Sequence, residues 1–104
     1  MNNQQLQAHV KSGPVVGDHR LPAPAIRCAD GFEVSVQASY THYCQPRDND
    51  GPYTHFELGF PSQEDELIQP YAENPDRPMD TVYPRVPLDL VLSLIAKHGG
   101  VGKE

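Results

Sequence analysis

Breaker residues constrain this chain more than any other feature. Eleven prolines and eight glycines stand among its 104 residues, and proline interrupts both helices and central strands. They gather in the first two dozen residues, through Gln45–Pro52, at Pro61 and Pro70, at Pro84 and Pro87, and at Gly99-Gly100. Regular elements are therefore short. A helical bundle, a coiled coil and a membrane-spanning protein are excluded, and one small, loop-rich domain remains. A chain of this length buries little core by itself, so self-association is expected.

Between the breakers, periodicity predicts an α+β fold: a small antiparallel sheet of three to five strands, one short helix and one C-terminal amphipathic helix. Residues 1–24 read as a weakly ordered arm, with Val15-Val16 available as an edge strand; residues 25–104 read as the single domain. Asp30-Gly31 is a tight-turn signal before the clearest strand, Phe32–Tyr40. There Val34, Val36, Ala38 and Tyr40 alternate with Glu33, Ser35, Gln37 and Ser39. Continued alternation would add His42 and Cys44 to the dry face. A two-residue turn would carry Arg27 to that face, so a longer loop is the alternative.

Tyr53–Phe60 is the next strand, with Phe56, Leu58 and Phe60 on one face and Tyr53, His55, Glu57 and Gly59 on the other. Ser62 looks like the N-cap of a short helix with Asp65 in the capping-box position, Leu67 and Ile68 on its apolar side, and Pro70 at its limit. Thr81–Val86 is a strand that Pro84 confines to an edge or an irregular position. Pro87 suits the first position of the last helix. Leu88, Val91, Leu92 and Ile95 form its stripe, Lys97 and His98 its last turn, and Gly99 its stop.

Charge narrows the partners. Fourteen acidic residues face eight basic ones, a net −6. The acidity concentrates in residues 62–80, where Glu64, Asp65, Glu66, Glu73, Asp76 and Asp80 outnumber Arg77. Such a field repels duplex nucleic acid and anionic membrane, while leaving room for an anion held by local arginines. The first ten residues are polar, unlike a secretory leader. Two cysteines in such a chain are expected to be reduced rather than bridged as Cys28–Cys44.

No enzymatic signature is present: no phosphate-binding glycine loop, no Gly-x-Ser-x-Gly and no His-Glu-x-x-His. His42, Cys44 and His55 are the residues of metal-ligand or Cys/His type, too few and too loosely spaced for a zinc motif; Cys44 packing as a small apolar residue is the competing reading. Glu64, Asp65 and Glu66 read as solvated charges at a helix start. A non-catalytic set is more suggestive. Tyr40, Tyr43, Tyr53 and Tyr83 gather with Arg47 and Arg85 around the strand ends and the Gln45–Pro52 loop, with Tyr83 and Arg85 on one side of the last strand. Aromatic rings stack on bases and guanidinium forks hold phosphate. The alternative is ordinary tyrosine packing, with Arg47 paired to Asp48 or Asp50.

From Val34 onward the chain resembles a family of small proteins of phages and prophages. The likeness runs through Ser35–Ser39, His42-Tyr43-Cys44-Gln45-Pro46-Arg47, Gly51-Pro52-Tyr53-Thr54, Glu57-Leu58-Gly59-Phe60-Pro61 and Asp65–Ile68. It continues through Tyr71-Ala72-Glu73, Thr81-Val82-Tyr83, Val86-Pro87 and Lys97-His98-Gly99-Gly100, about two-thirds of the chain. In size, fold and lack of catalytic residues it is also similar to viral anti-defence proteins of the anti-Thoeris type. That resemblance implies an oligomer in the host cytoplasm that sequesters a small nucleotide immune signal, cyclic ADP-ribose-like or cyclic oligonucleotide, between subunits, without a cofactor.

On residue chemistry, Tyr53 and Tyr83 would stack on the base, Arg47 and Arg85 would hold phosphate, and His42 or Glu57 would contact ribose or base edges. The rivals are an acidic inhibitor that binds a host defence protein through residues 62–80, a Cys/His metal-dependent protein around His42, Cys44 and His55, and a structural protein of the virion.

Overall fold

The computed structural model describes residues 1–102. Its elements run α1 (Asn3–Val10), β1 (Val15–Val16), β2 (His19–Arg20), β3 (Ile26–Arg27), β4 (Glu33–Gln37), β5 (His55–Gly59), a 3-10 turn (Gln69–Tyr71), β6 (Val82–Pro87) and α2 (Leu88–Lys97). β1 and β2 form a small hairpin; the other strands form an antiparallel sheet in the order β3-β4-β5-β6. The fold is α+β. One face of the sheet carries Val34, Val36, Phe56, Leu58 and Val86 into a core closed by Leu6 and Val10 of α1 and by Val91, Leu94 and Ile95 of α2.

The first 24 residues are not a loose arm. Asn2 caps α1 through a complete capping box: its side chain accepts the Gln5 N–H, and Gln5 Oε1 accepts the Asn2 N–H, both at 2.9 Å. Leu6 and Val10, one turn apart, are fully buried. Gln7 docks the helix by a polar clamp, its amide donating to Tyr53 O at 2.7 Å and accepting from Tyr53 N at 2.8 Å. The hairpin is anchored as well: Arg20 donates to the carbonyls of Lys11, Gly13 and Asn49, and Asn49 Nδ2 donates to Asp18 O.

The β3–β4 turn takes the longer loop. Ile26 pairs with Val34 and Arg27 with Glu33, so three residues, Ala29 to Gly31, make the turn. Gly31 adopts φ 96 there, the left-handed residue such loops require. Arg27 thereby stays exposed.

β4 ends at Gln37. Ala38 is buried as expected, but Tyr40 turns outward and His42 is only half-buried. Gln37 and Ser39, expected to be wet, are buried. Gln37 can afford this because its amide bonds both backbone groups of Ala23, each at 2.8 Å.

Phe60 also breaks its alternation. Its φ of 50 rotates the chain out of the strand, and the ring is 60% exposed. The helix expected after Ser62 is reduced to a turn and the 3-10 segment. Ser62 Oγ accepts from Glu33 N instead of capping a helix, and Asp65 faces inward. Pro84 sits where expected, on edge strand β6, beside a bulge that puts Arg85 at φ 51.

α2 begins at Leu88 with Pro87 as its cap residue. It ends in a Schellman motif, with Gly99 N donating to Ala96 O and Gly100 N to Ile95 O. Residues 100–102 then bond along the outer edge of β3: Gly100 O accepts from Ala29 N, and Gly102 N donates to Arg27 O.

Candidate functional site

Six groups were expected to meet around a ligand, and the sheet brings four of them to one side. Tyr43, in the turn after β4, is the centre. Its backbone is pinned twice: its N–H donates to Glu57 Oε2 at 2.7 Å, and its carbonyl accepts from Arg85 N at 3.0 Å. The positive φ at Arg85 belongs to the β6 bulge, which turns this side chain outward. The Arg85 guanidinium lies 5.9 Å and that of Arg47 5.4 Å from the centroid of the Tyr43 ring. This geometry suits cation–π attraction.

Neither arginine forms a salt bridge with any described residue. The alternative pairing with Asp48 is not made. Asp48 Oδ1 accepts the N–H groups of Gly51 and Asp50 instead, which holds that carboxyl below its usual range. Arg47 donates its Nε–H to Tyr40 O and keeps its terminal nitrogens available.

Beside this platform a groove of about 270 Å³ crosses the outer face of the sheet. Ser35 and Gly59, paired across the β4–β5 ladder, lie in its floor. His42, Glu57, Phe60 and Pro22 line it. His42 Nδ1 is 2.6 Å from Ser39 Oγ, and burial, the largest influence, pushes the imidazole pKa down, so the ring is neutral at pH 7.

Two expected ligand groups are elsewhere. Tyr53 and Tyr83 are each only 1% exposed. Tyr53 donates its hydroxyl to Asp48 O at 2.8 Å, and Tyr83 donates to Pro78 O. Burial pushes the Tyr53 phenol up to about 12 and raises that of Tyr83. These rings are core struts for the flanking loops, and they cannot stack on a ligand. The bulge also separates Tyr83, facing in, from Arg85, facing out.

The metal-type set does not assemble either. Cys44 is buried with its Sγ 3.1 Å from Ser39 O, its thiol pKa pushed up chiefly by burial, and His55 Nδ1 contacts the Thr54 hydroxyl. Among the described residues no group of three or more His, Cys, Asp or Glu side chains is placed to hold a metal. Cys28 and Cys44 are both buried and unbridged.

Sequence reasoning passed over Phe60, whose place at the end of an alternating strand looked like core; the Phe-Pro step after Gly59 was the available signal. It also passed over His98. That ring stacks on Phe32 at 3.9 Å and lies between two carboxylates, Nδ1 2.6 Å from Asp30 and Nε2 2.8 Å from Asp65. Lys97 Nζ adds a 3.1 Å contact to Asp65. His98 and Asp65 are buried while Asp30 and Lys97 reach the surface, and the cluster joins α2 to two loops.

The fold and site define a class: a small α+β protein with an open cationic–aromatic platform beside a shallow, largely apolar groove that His42 and Glu57 also line. Compared with protein-family models, with curated proteins and with solved structures, the chain matches none. No helix among the described residues is long and apolar enough to cross a membrane.

Proposed function

We propose that this protein is a non-enzymatic anti-defence protein of the phage kind. It captures a small nucleotide immune signal, cyclic ADP-ribose-like or cyclic oligonucleotide, in the host cytoplasm. One observation carries the reading: in a chain of net charge −6, two arginines with no ion pair among the described residues lie over one exposed tyrosine. Unpaired guanidinium groups held this way suit phosphate, which they grip by charge-assisted forks. The sequence resemblance points to the same ligand class. The groove is smaller than the 300–1,000 Å³ or so of a typical ligand site, so a second copy of the chain completes it.

Isothermal titration against cyclic ADP-ribose isomers, cyclic di-AMP, cyclic di-GMP and a cyclic trinucleotide tests the proposal. Heat is expected from at least one, weakened about tenfold or more by Arg47→Ala or Arg85→Ala. Silence across the whole set overturns it. The acidic 62–80 surface favours a second reading, an inhibitor docking on a host protein, since Glu64, Glu66, Glu73, Asp76 and Asp80 all remain exposed. Glu64→Lys with Glu66→Lys should abolish partner capture under that reading and leave nucleotide binding intact under the first.

A further inference from the structure

The groove beside the arginine platform holds three groups whose binding capacity the fold leaves unused. Phe60 keeps an aromatic ring 60% exposed at φ 50. A bulky residue seldom adopts that backbone region, and strain of this kind concentrates at functional positions. Its N–H is anchored to Thr81 O at 3.1 Å, so the ring is presented by ordered chain.

Glu57 spends Oε2 on the Tyr43 N–H. Among the described residues nothing hydrogen-bonds its Oε1, nor His42 Nε2. Both side chains line the groove together with Phe60.

The tautomer of His42 is coupled to its neighbour Ser39. Ser39 is fully buried and its Oγ accepts from Thr41 N at 3.3 Å, so its own proton must go to a protein acceptor. Two are in reach, His42 Nδ1 at 2.6 Å and Thr41 Oγ1 at 3.0 Å. The arrangement that the groove's use as a subsite requires is the one in which Ser39 gives its proton to His42 Nδ1. A neutral ring accepting at Nδ1 carries its hydrogen on Nε2 and donates into the groove. The groove then offers an acceptor, Glu57 Oε1, near a donor, His42 Nε2–H, beside an aromatic face.

We propose that this groove is an adenine subsite: Phe60 stacks on the purine, Glu57 accepts from its exocyclic amine, and His42 donates to the adjacent ring nitrogen. Guanine presents the opposite order at the same edge, so in the same stacked pose its O6 acceptor would face the Glu57 carboxylate and its N1–H donor the His42 N–H. The inference rests on the nucleotide-binding reading and extends it by naming the base and the residues that read it.

Titration of the intact protein with cyclic di-AMP and cyclic di-GMP isolates the base, since both ligands share the same phosphodiester frame. Cyclic di-AMP should bind at least tenfold tighter. His42→Phe keeps the ring's bulk, and Ser39 can turn its proton to Thr41; it should reduce that preference to about threefold or less. Phe60→Asn tolerates the left-handed backbone and should weaken both nucleotides about tenfold, the range expected for one lost base–aromatic stack. Circular dichroism melts serve to confirm that both variants fold. Equal affinity for the two nucleotides, a preference for cyclic di-GMP, or unchanged binding by Phe60→Asn overturns the subsite and leaves nucleotide capture standing. No heat from any nucleotide of the wider set overturns both.

Discussion

Among the described residues His98 alone has both ring nitrogens facing carboxylates. A neutral imidazole has one N–H to give, so two acceptors at 2.6 and 2.8 Å demand the doubly protonated ring. Burial opposes that charge, but the hydrogen bonds and fields of Asp30 and Asp65 outweigh it, and the net shift of His98 is upward from 6.5. For Asp65 burial likewise opposes charge, and the Leu67 N–H, His98 and Lys97 prevail, so its pKa falls below 3.8. The signs fix a stability window. The His98 contribution is complete below about 6.5 and lost as pH rises through the higher folded value. The Asp65 contribution is complete above about 3.8 and lost as pH falls through the lower folded value. Urea unfolding at pH 5.5 and pH 9 should show the lower stability at pH 9, and His98→Gln should flatten that alkaline decline; an unchanged decline would place its origin elsewhere. Asp65→Ala removes the Nε2 partner of His98 and leaves Asp30 on Nδ1, so it should cost about 1–3 kcal/mol at pH 6, the penalty of one unmade buried hydrogen bond.

At the scale of elements, α1 offers the sharpest test because nothing in its apolar spacing announces a helix. Leu6→Ala empties a fully buried site and should cost about 3 kcal/mol, lowering the melting temperature by 10 °C or more. A loose arm would show no change, so a thermal melt followed by circular dichroism separates the two. The contrast with α2 explains what was legible. Leu88, Val91, Leu92 and Ile95 repeat at helical spacing, and the Gly99 stop is local chemistry, so α2 could be read from neighbouring residues alone. The alternation of Val34 with Val36 and of Phe56 with Leu58 was readable for the same reason. In α1 only Leu6 and Val10 face inward; the helix is held by the Asn2–Gln5 capping box and by the grip of Gln7 on Tyr53, 46 residues away. Local pattern carries no record of such a contact. The same distance hid the candidate site: Arg47, Tyr43 and Arg85 were recognisable as ligand chemistry, but only the β6 bulge decides that Arg85 points out while Tyr83 points in. Asp65 was misassigned for the matching reason, since its partner His98 lies 33 residues on.

At the scale of the molecule, the radius of gyration of 12.7 Å is that of an ordinary compact chain of about 100 residues. A wider hollow of about 790 Å³ opens between His9, β3 and Val101, away from the arginine platform, and the groove likewise lies open on the surface. Val15, Val16 and Leu21 stand exposed on the β1–β2 hairpin, Val16 at 61%, although Arg20 and Asn49 hold that hairpin firmly against the body. Leu21 leads directly into Pro22, which lines the groove, so the hairpin adjoins the groove along the chain. A second copy seated there would cover the valines and wall in the groove at once. The intact protein should then run in light scattering at a multiple of its 11.5 kDa chain mass. Val16→Asp, altering a side chain that takes no part in the core, should return it to the monomer mass with little change in melting temperature. If the walls of the proposed nucleotide site come from both copies, the same substitution should weaken nucleotide binding about tenfold or more. If the wild-type protein is a monomer that binds its nucleotide with full affinity, or if Val16→Asp separates the copies and leaves affinity untouched, the site is complete within one chain and the shared-site arrangement fails.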